Sequence, residues 1–590
     1  MPDTKHRTPN VAAMLVLVVA AAVSAAPPTS PFVRLYDTGK ASPKPLPPAA
    51  VAKRTGWKLV PESDRKHRFI GDAVFANDKL ALVLRRGGSG ARVHSLAAGK
   101  WKQRSLLAPC AAANDPAAAR ASLAITENTP AAVTLAATFR TKAGKPVSAA
   151  YRLTTGMPIA EFRAGKGTQR LRVADAIRHL VVPELLAIDV VLSPEFMTHA
   201  WQALPTENIL LALLDGQGAL ATIVWPSGEQ SADALRHRSR KDAFGAAEIE
   251  CPQGKQVWYG LLEAEEIWRD RAIEAADLNK PLRLPWRPPF AARWRSGFAY
   301  ADGYPTALDI AANMPAAQSD AGVWLEQDVV CARVHGLKRA SGLSPKHVVL
   351  YPIDRNAATP LTTYCPVDIM RNALGVGVCQ YVLDTEGMGD SAEATPAQVA
   401  AWLERTFRRR NAAGQAEAVR KRLDALARYA RQVNDRHVSH VELGGRLANR
   451  CKQAEGVPSL ASVAKELGEI LEDMAWLSSE WAKDDADPRL AIKPRDALAK
   501  SFELSATSII ELVGKAEAAE TIPKAVRVCR GLGKSLDLAL GQSRLALRRV
   551  RARCRTLAAT QPKAAAFVRE IQQDAERALR PKRSAPKGEK

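Results

Sequence analysis

No CxxC pair occurs among the eight cysteines, which stand at Cys110, Cys251, Cys331, Cys365, Cys379, Cys451, Cys529 and Cys554. That absence argues against a zinc ribbon or a thioredoxin-like redox site. Long apolar runs are also missing after the first 26 residues, so no later segment reaches the ~20 residues that cross a bilayer. The one early run, Val11 to Val23, follows Lys5, His6 and Arg7 and ends in Val23-Ser24-Ala25. Those features predict an export signal over 1–25, cleaved after Ala25. The mature chain is then expected outside the cytoplasm, periplasmic or extracellular, with no transmembrane segment. Acidic residues are the minority, 61 against 84 Lys and Arg, for a net charge of +23. In an exported protein this balance suits a polysaccharide, an anionic envelope polymer or lipid headgroups rather than nucleic acid, or simply a soluble surface. No motif asks for a cofactor, and the oligomeric state stays open.

What is present is a globular composition, 47 % hydrophobic and 25 % charged, in a chain long enough for several domains. Seven prolines between Pro27 and Pro48 predict an extended linker over 26–53. From 54 to 280 the signal is β. Hairpins are expected at Ala73–Arg86, Ala131–Thr155, Asn208–Ser227 and Ala246–Ala264, which together predict a large antiparallel β-sandwich domain. Glu265 to Ala276 reads as a short helix. The stretch 281–395 reads as an aromatic- and Pro-rich junction followed by a mixed α/β segment, and five prolines between Pro281 and Pro305 argue against regular structure in the crossing. Strands are expected at "KHVVLYPI" and "VGVCQYVL". Between them "CPVDIMRNALG" reads as a helix that starts at Pro366 and leaves at Gly375.

After Thr395-Pro396 the chain reads as an antiparallel helical bundle, 396–580, with a disordered basic tail at 581–590. Leu460, Val463, Leu467, Ile470, Met474, Leu477 and Trp481 step by three and four, a heptad seam expected to close inside the bundle. The fold class expected for the whole chain is thus α+β and multidomain. From residue 401 onward 38 Lys and Arg face 24 Asp and Glu. Arg544, Arg548, Arg551 and Arg555 form one cationic helix face, fit for an anionic polymer or for acidic residues such as Asp484, Asp485 and Asp487.

Several motifs fail on context. "RGLGKS", Arg530–Ser535, lacks the first glycine and the preceding strand of a P-loop. "GGSGA", Gly87–Ala91, lies between β-like segments and reads as a hairpin loop rather than a nucleophile elbow. "HVSH", His437–His440, supplies two imidazoles where a metal site needs three or four ligands, and reads as solvated or capping histidines. Cys365 and Cys379 flank the Pro366 helix and form a disulfide candidate whose geometry decides it.

The junction carries the more suggestive chemistry. Trp286, Trp294, Tyr300 and Tyr304 are interleaved with Arg293 and other arginines, a combination that suits stacking on sugar rings and also suits a buried hinge. Trp286, Arg293, Trp294, Tyr300 and Tyr304 are the candidate substrate-binding residues. Asp354 and Asp368 are the candidate acid/base pair, because glycosidic chemistry needs two carboxyls.

The segments "GDAVFANDKLALVLRRGGSGARVHSL" and "AAYRLTTGMPIAEFRA" resemble the β-supersandwich of galactose-mutarotase-like domains, over roughly residues 57–264. That resemblance implies a carbohydrate-active setting, of glycoside hydrolase, lyase or epimerase type if the protein is an enzyme, and assigns no catalytic residue. The reading that follows is an exported protein that interacts with carbohydrate through the β domain and junction. The alternative is a non-catalytic envelope scaffold whose basic bundle docks on an anionic polymer or a partner protein.

Overall fold

The computed structural model describes residues 31–183, 189–312, 322–334, 337–338, 342–386, 399–400, 402–404, 416–484 and 518–580. The export signal, the Thr395-Pro396 helix start and the basic tail lie outside them. Among the described residues no helix is long and apolar enough to cross a membrane.

Eighteen strands between Arg34 and Glu263 form one antiparallel network. Its pairings run in a closed circuit. Lys100–Ala112 pairs with Arg170–Val182, which pairs with Ile209–Leu214 and then Ala219–Val224. The circuit continues through Gln256–Glu263 and Ile159–Ala164 to Pro146–Thr154. It returns through Ala132–Thr141 and Asp115–Asn128 to Lys100–Ala112. A sandwich of two separate sheets was expected; the region is a closed, barrel-like sheet. Closure is possible because Lys100–Ala112, Asp115–Asn128 and Arg170–Val182 are long strands broken by register shifts, and such bulges bend and twist a strand.

Alternation fills the inside of this sheet. Val133, Leu135, Ala137 and Phe139 point inward with Val147, Ala149, Tyr151 and Leu153 from the next strand. The hairpins expected around residues 77, 143 and 216 are all formed. The one expected at Gly254 is not. Phe244–Glu250 pairs with Arg170–Val182, whereas Gln256–Glu263 pairs with Ile159–Ala164 and Ala219–Val224. The turn between them runs beside residues 164–169 and bonds to Ala164 and Gln169, which separates the two strands. The expected linker is also corrected. Arg34–Asp37 pairs with Ala73–Ala76, Pro48–Lys53 is a helix, and Val33 and Leu35 sit in the core. The proline count concealed this short alternating stretch.

The uninterrupted apolar run Ile209–Leu214 is buried on both sides. Leu210, Ala212 and Leu214 face the barrel core, while Ile209, Leu211 and Leu213 face a second core. A strand covered on both faces needs no polar alternation. The second core lies under the junction, which is more regular than its prolines suggest. Arg293–Ala299 and His347–Asp354 pair, flanked by Arg269–Ala272 and Ala307–Asp309. Leu282–Pro285 is an edge strand against Val329–Ala332, the position where a proline without an N–H is tolerated. Residues 269–272 are thus strand where a helix was expected, followed by the 3-10 turn Ala275–Leu278.

The Pro366–Leu374 helix is formed as expected, with Gly375 leaving at φ +75°. "VGVCQYVL" was expected as a strand and is the helix Val378–Thr385. The spacing of Val378 and Val382 puts both on one buried face, and this overrides their β preference. The Pro366–Leu374 helix docks Ile369 on Gly260, where an added Cβ would lie 2.6 Å from the Ile369 side chain. Gly260→Val should therefore cost roughly 1–3 kcal/mol by overpacking, read as a lowered urea midpoint at unchanged slope.

The helical region contains Ala416–Ala454, Ala461–Asp484, Ala518–Thr560 and Ala565–Leu579. Val463, Leu467 and Met474 of the heptad seam meet Val441, Leu447, Val550 and Cys554, with Leu460, Ile470 and Leu477 packed on the rim. The seam is internal to the chain; the Trp481 side chain lies outside the described residues. His437 and His440 are buried between helices, not solvated or capping, and burial pulls His437 down to about 4. His440 faces Ser543 across the helix contact. Among the described residues no cluster of ligands could hold a metal ion.

Candidate functional site

The cationic face of the Ala518–Thr560 helix turns toward the sheet. Leu545 of the same helix enters the barrel core, and this contact presses Arg544 and Arg548 onto the sheet rim. Arg544 and Arg548 each donate to Glu207 at 2.8 Å, and both arginines are only 1 % exposed. Burial favours the neutral form of Glu207, but the charges of Arg544, Arg548 and Arg551 prevail and hold it at about 2. Arg544 also pairs with Glu386, which Arg436 holds in turn. Arg555 reaches Asp233 at 3.1 Å, and Arg170 bonds the same carboxylate. Burial raises the Asp233 carboxyl despite these two cations. The acidic partners of the arginine row therefore come from the sheet and from the end of the Val378–Thr385 helix. The polymer-docking face expected for these arginines is turned inward.

Between sheet, short helix and long helices lies a cleft of about 960 Å³, at the upper end of ordinary ligand sites. Its charged wall carries Arg551, Arg555 and Arg580 beside Glu250 and Glu576. Most of these charges are engaged. Glu250 accepts from the Ser231 hydroxyl at 2.7 Å, and Glu576 accepts from Gln572 at 2.7 Å. Arg551 differs. It donates only long bonds, to the carbonyls of Thr206 at 3.3 Å and Gly228 at 3.4 Å. Among the described residues no carboxylate lies within ion-pair distance of it. Burial pulls its guanidinium down to about 10. Tyr381 closes the floor. Its hydroxyl accepts from the Gly228 N–H at 2.8 Å, and burial, reinforced by Glu207, pushes its phenol up to about 12.

The junction residues are placed differently. Trp286 and Trp294 are 3 % and 6 % exposed and meet edge to face at 4.9 Å. Their indole N–H groups are spent on the carbonyls of Glu266 and Phe290. Tyr300 is buried and donates to Leu337, and Tyr304 packs against its ring. This is the buried-hinge arrangement, so neither tryptophan offers an open face for stacking. Arg293 is paired with Asp309. Both line a smaller pocket of about 340 Å³ with Phe290, Asn356 and Trp294.

Asp354 and Asp368 are brought together, but on Arg371. Asp354 accepts from it at 2.7 and 2.9 Å, and Asp368 at 3.3 Å. Asp368 also caps its helix by accepting from the Cys365 N–H at 2.9 Å. Neither lines the large cleft or the junction pocket. Cys365 is a buried free thiol, so the Cys365–Cys379 disulfide is not formed. Burial pushes that thiol up to about 12, which keeps it protonated and unreactive. The side chain of Cys379 lies outside the described residues. Reading the sequence missed Glu207, Glu250 and Tyr381, each a single polar residue in an ordinary segment. The arginine row was the one visible signal of the cleft.

No protein-family model and no curated protein matches the chain. Solved structures give slight likenesses. An α-N-acetylgalactosaminidase from Bifidobacterium bifidum aligns at 12 % identity and TM-score 0.23, over 32 % of this chain and 36 % of that enzyme. A GH36 α-galactosidase from Geobacillus stearothermophilus aligns at 12 % identity and TM-score 0.20, over 32 % of this chain and 41 % of its own. A family 81 glycoside hydrolase from Clostridium thermocellum aligns at 10 % identity and TM-score 0.17, over 82 % and 66 %. The chain thus spans 36 % and 41 % of the length of the first two enzymes.

Proposed function

We propose that this is an exported protein that binds an acidic carbohydrate in the cleft between the barrel and the helical region. The observation that carries the reading is Arg551, a cation on the cleft wall held by two long carbonyl bonds and, among the described residues, by no carboxylate. A uronate carboxylate is the partner this guanidinium lacks, and Arg–carboxylate pairs are the strong, oriented kind. Gln169, Ser231 and Gln572 line the same cleft and supply the mixed donors and acceptors that sugar hydroxyls require. On this reading the closed sheet is the galactose-mutarotase-like element, and the Phe290 pocket is an accessory sugar contact. The proposal is one of binding; no bond-breaking step is assigned to the cleft.

The test is a titration of the purified chain with acidic and neutral oligosaccharides of equal length. Acidic chains should bind and neutral ones should bind at least about tenfold more weakly, the loss of one charge-assisted bond. Arg551→Gln should remove that preference and leave the melting temperature unchanged or higher, because it relieves a half-buried charge that has no carboxylate partner among the described residues. Equal binding of both classes, or full acidic preference in the variant, would sink the reading.

A further inference from the structure

Outside the lining of the arginine cleft, three residues that no motif singled out form a hydrogen-bonded relay. His179 sits on the strand Arg170–Val182, where the ladder breaks register between Ile177 and His179. Ser193 follows the strand Val190–Leu192, and Asp270 lies on the strand Arg269–Ala272. The Ser193 hydroxyl is 2.9 Å from His179 Nδ1, and Asp270 Oδ2 is 2.9 Å from His179 Nε2. Gln217 donates to the other Asp270 oxygen at 3.2 Å. These distances set the tautomer. Asp270 accepts the Nε2 proton, which leaves Nδ1 with a lone pair directed at the serine hydroxyl.

The surroundings keep that lone pair available. The Trp268 ring packs edge-on against His179 at 5.9 Å, and both residues are buried. Burial lowers the imidazole below its ordinary range even with Asp270 beside it, so it stays neutral near pH 7. Ser193 in turn stands on the wall of a separate cavity of about 350 Å³. Phe196, Leu204 and Phe244 give that cavity apolar surface, Thr198 and Gln202 add polar groups, and the Arg553–Glu466 ion pair lies on its charged side. Its size is that of a small-molecule site. A serine bonded to an imidazole, with the imidazole oriented by a carboxylate, is the arrangement that activates a hydroxyl nucleophile wherever it occurs in a fold.

We propose that Ser193, His179 and Asp270 form a nucleophilic hydrolase site that accepts a short-chain carboxylic ester in this cavity. Ser193 Oγ adds to the ester carbonyl carbon as its proton passes to His179 Nδ1. The C–O bond to the alcohol breaks, and the alcohol leaves with that proton. Water, deprotonated by the same imidazole, then attacks the acyl-serine, releases the carboxylic acid and restores the hydroxyl. Asp270 keeps its charge throughout and positions the ring. This activity does not depend on carbohydrate binding in the arginine cleft.

The experiment treats the full chain with a fluorophosphonate probe and maps the adduct by peptide mass spectrometry. The expected result is one adduct on Ser193, absent from Ser193→Ala. With p-nitrophenyl acetate, Ser193→Ala and His179→Gln should each lower kcat/KM by at least about 10²-fold. Ser193→Ala removes one oxygen, so an unchanged melting temperature will show that it is folded. A folded wild-type chain with no adduct on Ser193, or ester hydrolysis retained in a folded Ser193→Ala chain, overturns the proposal.

Discussion

Glu207→Gln should lower the stability of the protein by about 3–5 kcal/mol, the cost of removing the carboxylate shared by two buried arginines. Glu207 is 5 % exposed and joins two arginines that are each 1 % exposed. The amide keeps the shape and loses the charge, so the loss measures electrostatics rather than packing. The carboxyl's depressed pKa makes the same point through pH. Its folded value of about 2 lies below the ordinary 4.5. A lowered acid pKa means that the stabilisation is complete above about pH 4.5 and is lost as pH falls through 2. The shift corresponds to about 3 kcal/mol. Urea unfolding of the wild type should therefore show a decline between pH 4.5 and 2 that is smaller in Glu207→Gln. Because Glu207 joins the sheet to the Ala518–Thr560 helix, limited proteolysis should also cut the variant first within the helical region. Equal stability of the two chains at pH 7 would show that the arginine row is held by packing alone.

Asp189→Ala should have an effect of similar size at a different place. Asp189 is fully buried beneath the junction, accepting from Arg295 at 2.6 Å and from the Tyr351 hydroxyl at 2.7 Å. Among the described residues, removing the carboxylate leaves the Arg295 guanidinium, itself 5 % exposed, with the long Asp309 contact at 3.4 Å as its one remaining ion pair. The expected cost is about 3–5 kcal/mol, as for other buried pairs broken on one side. Asp189→Asn keeps an acceptor for the tyrosine and should cost less. Glu207 binds Arg544 and Arg548 whereas Asp189 binds Arg295 and Tyr351, so Glu207→Gln with Asp189→Ala should be additive to within about 0.5 kcal/mol. Chemical denaturation of the single and double variants checks both statements.

Local chemistry was legible in the sequence, and long-range pairing was not. Asp215-Gly216 turns where it should, and Pro366 and Gly375 bound their helix because each acts on its immediate neighbours. The heptad seam from Leu460 packs as its spacing implies. The arginine row was visible as a helix face, but its partner Glu207 is 337 residues away from Arg544, and no spacing rule connects them. His179 meets Asp270 across 91 residues for the same reason. The Gly254 turn misled because a tight turn does not oblige the strands beside it to pair with each other; residues 164–169 compete for the same edge. Trp286 and Trp294 misled because an aromatic set among prolines and arginines looks alike as a sugar platform and as a buried hinge, and only the depth of the second core decides between them. Asp354 and Asp368 were read as an acid/base pair; the structure holds both on Arg371 and away from the large cleft.

The most direct measurement is a structure of the full chain with an acidic oligosaccharide bound. Density is expected in the barrel–helix cleft, with a sugar carboxylate within hydrogen-bonding distance of the Arg551 guanidinium and neighbouring hydroxyls on Gln169 or Gln572. A ligand seated only in the Phe290 pocket, or one that fills the cleft and leaves Arg551 on its two carbonyls, would contradict it.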